Sequence, residues 1–386
     1  MNIDFKQLEK KLAEQKVYDA WQYVNSLQET LGYMSMSYNL LNKIYDHRKR
    51  VLESTKNEIF QNAMEEGNAS ITQDELNRTN LHIAGYQIDD VAFLRKTTIE
   101  FFHYARVSMD VLFQIINAGL LGDKSYPVTD KRLLYNVLSK INNIQDFANL
   151  KQQLSQIKDD NEFKYLRDFD NYIKHIKTIL ITVKNSFMIG KVDEFYINEF
   201  FCDDKFYKQV ESLVKVKEIY DYVINTVDNI LEEFLNQVPN CLDNSHRIQE
   251  IKFKMQVQRN ENGDKIDFIT FYIEVENDLS ELPDEIKVYP LIVKPNGEIY
   301  SFDFRFDKLF VKRRNTNNEM ESIVGCAELK NGLETNEFYR VFEVKECSYL
   351  DYLKYQSEFN NRTQKISMNF YAMEGQIIAY DNKELK

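Results

Sequence analysis

The sequence predicts a two-domain α+β protein in which an all-α helical bundle at residues 1–238 precedes a β-rich domain at residues 246–386. Before Pro239 the apolar residues recur every three or four positions, which is the period of one helix face. After it they alternate with polar residues, as they do in strands that bury one side. Four of the five prolines lie at or beyond Pro239. The two changes coincide, and they place the domain boundary.

The first part of the bundle is predicted to be an antiparallel helical hairpin over residues 1–70. Its two long helices lie at 2–31 and 33–66, and Gly32 breaks the chain between them because glycine weakens a helix interior. The basic run at 47–50 is interpreted as a solvated helix face, with RNA contact as the alternative.

A capping box formed by Thr72 and Glu75 predicts the start of the next helix. We expect this helix to continue, with a kink or short break at Gly85, into a central helix at 93–121. Further helices are predicted at 129–139, 144–157, 161–189 and 205–237. An irregular crossing or strand pair is expected at 191–204, where aromatic side chains plug the bundle.

A polar stripe accompanies the apolar face of the central helix. Its members lie three, four and seven residues apart and therefore share one side of the helix: His103, Arg106, Asp110 and Asn117. Arg106 and Asp110 are placed to form a pair, because an unpaired charge beside a core is costly. In the helix predicted at 161–189, Asn171 and His175 stand one turn apart and provide a matching stripe.

The two helices that carry these stripes contain the runs FFHYAR and RDFDNYIKH. Over roughly residues 73–190 they resemble the HEPN superfamily of all-helical prokaryotic toxin and defence proteins. Many of its members are metal-independent endoribonucleases that use an Arg and a His four to six residues apart, often from paired protomers. The resemblance implies a homodimeric ribonuclease that needs neither a metal nor a cofactor.

The same resemblance implies roles for single residues. His175 would act as general acid or base on the ribose 2′-hydroxyl, and Asn171 would orient the scissile phosphate. Arg106, with Asp110 beside it, or Lys174 would stabilise the negative charge that develops in the transition state.

A second hypothesis stays open because the nearest Arg before His175 is Arg167, which lies outside the family spacing. One extra residue turns a side chain by about 100° around a helix, so Arg167 does not take the family position. The alternative is a noncatalytic scaffold of a bacterial defence or regulatory complex. In this scaffold Arg106, Asp110, Asn171 and His175 form a buried hydrogen-bond network, and the β-rich domain binds a protein partner.

The chain carries 49 basic and 61 acidic side chains, a net charge of −12. This balance excludes broad binding to nucleic acid or to an anionic membrane surface, so any RNA contact has to be local.

No apolar run approaches the roughly 18 residues of a membrane span, and the charged N-terminus lacks a signal-peptide core. The four cysteines have no C-x-x-C spacing, which favours buried reduced thiols over a zinc site. We expect a cytoplasmic protein without membrane contact.

The β-rich domain is predicted to be an antiparallel sandwich or open barrel. One hairpin joins 251–257 to 269–275 across Asn262-Gly263, and a second joins 286–293 to 298–306 across Pro295-Asn296-Gly297. The remaining elements are strands at 321–329, 338–346, 365–373 and 376–380 and a short helix at 349–356.

The most basic part of this domain is the run Lys312, Arg313 and Arg314. It is predicted to contact RNA, because cations held together can bind a phosphate backbone. A solvated loop is the alternative interpretation.

The expected association is a homodimer, which is the usual state of the resembling superfamily. Light scattering at tens of micromolar protein should therefore give twice the monomer mass. A monomer under these conditions would remove any catalytic site that needs residues from two copies.

Overall fold

A computed structural model of the protein describes residues 4–14, 17–67, 72–127, 129–142, 144–184, 194–240, 250–259, 266–293, 299–301, 307–314, 323–330, 340–363 and 376–381. These residues form the predicted α+β fold, with helices in the N-terminal part and a curved β-sheet in the C-terminal part. The chain divides into two compact units. Unit 1 comprises residues 1–5, 24–113 and 138–235, and unit 2 comprises 6–23, 114–137 and 236–386.

The helices of the described chain vary in length from one to thirteen turns. They are α1 (Phe5–Glu14), α2 (Tyr18–Glu66), α3 (Gln73–Asn77), α4 (Asp90–Leu121), α5 (Leu133–Ile141), α6 (Ala148–Asp159), α7 (Asn161–His175), α8 (Ser212–Gln237) and α9 (Tyr349–Thr363). The central helix is confirmed as α4, and the capping box of Thr72 and Glu75 is formed at the start of α3. Within the described residues, no helix combines the length and the apolar character needed to cross a membrane.

Helix α2 is continuous, so the predicted break at Gly32 is wrong. A glycine inside a helix costs only about 1 kcal/mol relative to alanine. Leu31 and Met34, on either side of it, are buried, and burying side chains of that size stabilises the helix by more than the glycine costs. The predicted hairpin between 2–31 and 33–66 is therefore replaced by one long helix.

Seven short strands lie among the helices of unit 1: β1 (Leu81–Ile83), β2 (Tyr86–Ile88), β3 (Ile181–Lys184), β4 (Glu194–Ile197), β5 (Phe200–Cys202), β6 (Lys205–Tyr207) and β7 (Val210–Glu211). The kink or short break predicted at Gly85 is a hairpin turn between β1 and β2, where Ala84 and Gly85 both have positive φ angles. Asp203 and Asp204 make the same kind of turn between β5 and β6. Two adjacent residues with positive φ are what a tight two-residue hairpin requires.

The second motif helix was predicted to reach residue 189, and this is wrong, because α7 ends at His175. Beyond it Ile179 and Ile181 are buried while Leu180 between them is exposed, which is strand alternation. The segment is rich in β-branched residues, and these favour strands over helices. For the same kind of reason α8 begins at Ser212 and not at 205, since β6 and β7 occupy the intervening residues.

An aromatic cluster fills the core of unit 1 between α4, α7 and the β5–β6 hairpin. The ring of Phe169 lies 4.1 Å from that of Phe102 and 5.9 Å from that of Phe200, measured between centroids. Phe200 in turn stacks on Tyr207 at 4.7 Å. The expectation that aromatic residues at 191–204 plug the bundle is therefore confirmed for Phe200, whereas Phe201 is exposed.

A buried ion pair joins α2 to the first residue of α4. Arg48 donates to the carboxylate of Asp90, and both side chains are almost wholly buried. The guanidinium also donates to the hydroxyl of Thr79 and lies over the ring of Phe195. Arg48 belongs to the basic run at 47–50, so this member of the run serves packing and is not available to RNA.

The sheet of unit 2 closes on itself like a barrel. Its strands are β8 (Glu250–Arg259), β9 (Ile266–Val275), β10 (Glu285–Val293), β11 (Ile299–Ser301), β12 (Lys308–Arg313), β13 (Ile323–Leu329), β14 (Arg340–Lys345) and β15 (Gln376–Asp381). Their order is β11-β10-β14-β13-β12-β9-β8-β15, and β15 pairs again with β10. The sheet is mixed and not purely antiparallel, since β12 runs parallel to β9.

The first predicted hairpin has the expected register, because Phe253, Met255 and Val257 of β8 lie opposite Ile273, Phe271 and Ile269 of β9. The second hairpin is formed by β10 and β11. The turns predicted for the two hairpins, at Asn262-Gly263 and at Pro295-Asn296-Gly297, fall outside the described residues. So does the strand predicted at 365–373.

Both faces of the strand β12 are covered. Leu309 and Val311 face an apolar core that Phe271, Ile286 and Phe342 complete. Phe310 points to the other face, where its ring lies 5.0 Å from that of Tyr352 on α9. Helix α9 therefore packs against the outside of the sheet.

The Arg48–Asp90 pair predicts a contrast between two substitutions. Asp90→Ala should lower the free energy of unfolding by about 3 kcal/mol, because it leaves a guanidinium buried without its counter-charge. Glu58→Ala removes the exposed pair with Arg78 and should leave the denaturation midpoint nearly unchanged. Chemical denaturation followed by circular dichroism measures both, and equal effects would contradict the structural role assigned to Asp90.

Candidate functional site

Helix α4 places charged side chains along the border of the unit 1 core. Phe102, Ala105 and Met109 are fully buried on one side of the helix. His103, Arg106 and Asp110 follow on the neighbouring side, because residues three and four apart share a helix face. The core packing of α4 thus fixes where these polar groups lie.

The predicted pair of Arg106 and Asp110 is formed. Nη2 of Arg106 lies 2.8 Å from Oδ1 of Asp110, and the arginine side chain is 17% exposed. The guanidinium lies over the ring of Phe163, 5.3 Å from its centroid. Nη1 of Arg106 is buried without a hydrogen-bond partner among the described residues. The arginine is thus held by one carboxylate and one aromatic ring.

Asp170 on α7 connects the two motif helices. Its side chain is 6% exposed, and its Oδ2 accepts from Nζ of Lys174 at 2.6 Å, one turn along the same helix. Its Oδ1 lies 3.3 Å from Nδ1 of His103 on α4. One buried carboxylate therefore holds a lysine and a histidine at the same time.

The pairs of α4 and α7 form a single group, which we call the α4–α7 charge cluster: His103, Arg106, Asp110, Asp170 and Lys174. Burial by surrounding protein raises the pKa of Asp110, although half of its side chain is exposed (50%). The charges of Arg106 and Lys174 oppose this rise, and the carboxylate of Asp170 adds to it. The two pairs are therefore close enough to act on one another.

The structure does not bring His175 into this cluster. His175 is the last residue of α7 and is exposed, and no hydrogen bond or ion pair joins its side chain to another described residue. The predicted network of Arg106, Asp110, Asn171 and His175 is therefore wrong as to Asn171 and His175. Each lies one residue, about 100° around the helix, beyond Asp170 and Lys174, which form the cluster with α4. Asn171, one turn earlier, is partly buried. A basic side chain in the last turn of a helix interacts favourably with the free carbonyl groups, which is sufficient reason for a histidine at this place.

The histidine and carboxylate that do meet were missed as site residues by the sequence reasoning. His103 was recognised as part of the polar stripe, but nothing local indicates that it contacts Asp170, 67 residues away. The four-residue spacing of Asp170 and Lys174 was the one available signal, since such pairs stabilise helices.

Arg167, the arginine nearest to the second motif, is bound within its own surroundings. Its Nε and Nη2 both lie 2.8 Å from Oδ1 of the buried Asp168. The other oxygen of Asp168 accepts from the hydroxyl of Tyr207 at 2.6 Å. Burial and the nearby Asp168 together raise the pKa of Tyr207. Arg167 therefore serves to place a buried carboxylate.

The basic patch predicted to bind RNA is mostly occupied by contacts inside the chain. Lys312 is only 3% exposed, and its ammonium lies 4.3 Å from the ring centroid of Tyr272 under α9. Its assignment as an RNA contact is corrected, because a buried ammonium does not reach a phosphate backbone. Arg313 donates through Nε to the carbonyl of Asn277 at 2.7 Å. Arg314 is exposed, and its Nε lies 3.8 Å from Oε2 of Glu274.

A recess of 620 Å³ lies in unit 2 at the start of α9. Both of its aspartates already serve the backbone, since Asp278 accepts from the amide of Ser280 and Asp351 from that of Ser348. Hydrogen bonds from the hydroxyls of the same two serines, and then those from the amides, lower the pKa of both acids. Within the described residues, no group of His, Cys, Asp and Glu side chains is arranged to hold a metal ion.

The comparisons with known proteins concern the β-rich part of the chain. Residues 249–369 match the model of DUF8310, a domain of unknown function. The matched segment contains β8 to β14 and α9 and spans less than half of the chain. No curated protein and no solved structure matches.

The α4–α7 charge cluster predicts the titration of Asp110. Its pKa should lie above the ordinary aspartate value, Arg106→Gln should raise it further, and Asp170→Asn should lower it. Because the folded-state pKa is raised, the contribution of Asp110 to stability is full below its ordinary pKa and is lost as pH rises through the folded value. Carboxyl-detected NMR measures all three values. An unchanged pKa in both variants would show that the two pairs are independent.

Proposed function

We propose that this protein is a noncatalytic helical scaffold that binds a protein partner. The observation that carries the proposal is the internal pairing of the α4–α7 charge cluster. Its two permanent cations, Arg106 and Lys174, are each bound to a carboxylate, and the charges of the two pairs cancel. Such a cluster fixes how two core helices pack and does not attract an anion.

Cleavage of RNA makes demands that this arrangement does not favour. A ribonuclease needs a cation aimed at the phosphate and a histidine within reach of it. Here Arg106 and Lys174 are occupied by Asp110 and Asp170, and within the described residues no side-chain contact joins His175 to either cation. The overall charge of −12 adds repulsion toward a polyanion.

The surface of unit 1 supports a binding role. Phe201 and Phe206 lie directly opposite each other on the β5–β6 hairpin and are 56% and 57% exposed. Ile83 and Tyr86 form a second exposed cross-strand pair on the β1–β2 hairpin. Exposed aromatic side chains are enriched where proteins contact one another. In the same proposal the protein is cytoplasmic, and its partner is either a second copy of this chain or another protein.

One observation favours a second candidate function, metal-independent cleavage of RNA. The imidazole of His103 is 45% exposed and is held through Nδ1 by the buried Asp170. A carboxylate that orients an imidazole is a frequent arrangement in general acid–base catalysis. In this version His103 takes the role that the sequence resemblance gives to His175.

Incubation of the purified protein with total RNA and with tRNA, in EDTA, separates the two functions. The scaffold predicts no cleavage by wild type, His103→Ala or His175→Ala. It also predicts that Asp170→Ala lowers the free energy of unfolding by about 1–2 kcal/mol, because Lys174 can turn to water but His103 loses its contact. Asn171→Ala, on the same helix, is the matched control and should have a smaller effect.

The alternative outcomes are distinct. Cleavage by wild type that His103→Ala abolishes, with the melting temperature unchanged, would establish the ribonuclease at His103. Cleavage that only His175→Ala abolishes would restore the site implied by the resemblance.

A further inference from the structure

A polar cleft of 300 Å³ lies between α6 and α8 in unit 1. It is separate from the α4–α7 charge cluster and takes no part in the proposed scaffold. Its lining comes from the last two turns of α6, the residue that caps α7 and the middle of α8: Gln153, Gln156, Ile157, Asp160, Tyr222, Thr226, Asn229 and Ile230.

The lining is suited to a small uncharged ligand. Three carboxamides and two hydroxyls provide hydrogen-bond donors and acceptors, and the buried side chains of Ile157 and Ile230 add apolar contact surface. None of the described residues that line the cleft is a cation. Asp160, its one carboxylate, already accepts from the amides of Glu162 and Phe163 at the start of α7. Phosphate and other anions would meet only negative charge here.

Two polar atoms of this cleft are buried without hydrogen bonds to the described residues, Oε1 of Gln153 and the hydroxyl of Tyr222. The Thr226 hydroxyl is near enough to lower the pKa of Tyr222 slightly but does not reach hydrogen-bond geometry. Burial has the larger effect and raises that pKa, so the hydroxyl keeps its proton at neutral pH. Buried polar groups in native proteins nearly always have a partner. The residues that line the cleft thus include an unused acceptor and an unused donor.

We propose that the α6–α8 cleft binds the base of an amino-bearing nucleobase or nucleoside, of which adenine is the best fit. The amino group of adenine would donate to Oε1 of Gln153, and the Tyr222 hydroxyl would donate to the adjacent ring nitrogen. Carboxamides are the side chains that pair most readily with adenine, because both present a donor next to an acceptor. The remaining carboxamides, Gln156 and Asn229, can bind the rest of the base edge or the ribose.

The test measures binding of adenosine to the full chain by calorimetry. Inosine is the matched ligand, since it replaces the amino group by an oxygen. Adenosine should bind, inosine should bind at least about tenfold more weakly, and AMP should not exceed adenosine because the cleft has no cation for its phosphate. Gln153→Leu and Tyr222→Phe should each weaken adenosine binding about tenfold, the effect of losing one hydrogen bond.

The matched control is Gln152→Leu, which makes the same change at an exposed position on the same helix and should leave adenosine binding unaltered. Circular dichroism establishes that each variant is folded. The proposal is overturned if adenosine does not bind, if inosine or glucose binds equally well, if AMP binds more tightly, or if Gln153→Leu and Tyr222→Phe have no effect. A rise in melting temperature of Tyr222→Phe without any adenosine binding would also overturn it, because it would show that the hydroxyl is buried without a partner and serves no ligand.

Discussion

A helix that carries charge into a protein core can be packed only if each charge meets its counterpart, and α4 imposes this constraint on unit 1. Its apolar side is fully buried among aromatic rings, so its polar stripe stays at the border of the core, where Arg106 is 17% and Asp110 50% exposed. Arg106 is satisfied within the helix by Asp110, whereas His103 depends on Asp170 of α7. The position of α7 is therefore set by the aromatic rings and by one carboxylate together.

The same constraint bears on function. Catalytic groups often keep part of their hydrogen-bonding capacity uncommitted, since they have to interact with a substrate. In the α4–α7 charge cluster this capacity is mostly used inside the protein, with Nη1 of Arg106 as an exception. Arg167 follows the same pattern, because it places Asp168 for Tyr207. Polar residues at helical spacing on two core helices therefore indicate a packing network as readily as a catalytic motif.

The extent to which the sequence predicts the structure depends on how local each interaction is. The α4 helix, the capping box at Thr72 and the Arg106–Asp110 pair involve neighbours within one or two turns, and each is correct. Segment 176–184 was assigned to a helix because its apolar residues fit both periods over a short span, and only burial of alternate residues distinguishes them. The contact of His103 with Asp170 joins residues far apart in the chain. No pattern in a single sequence specifies such a pairing.

The basic patch of the β-rich unit shows how the same limit affects a functional assignment. In sequence Lys312 stands next to two arginines and looks like part of a cationic surface. In the structure its side chain leaves the sheet on the face that α9 covers, and Tyr272 and Tyr352 surround the ammonium. Whether β12 has one or two covered faces depends on α9, which follows some forty residues later.

The closing of the barrel extends this dependence beyond the segment that matches DUF8310. Strand β15 lies after residue 369, where the match ends, and it pairs with β8 on one side and β10 on the other. Without it, β8 and β10 would each present an open edge, and open edges favour association with other strands. The matched segment thus contains the core and the covering helix, while the strand that protects its edges comes from the sequence that follows. A β-rich region cut at the limits of the match would lack that protection.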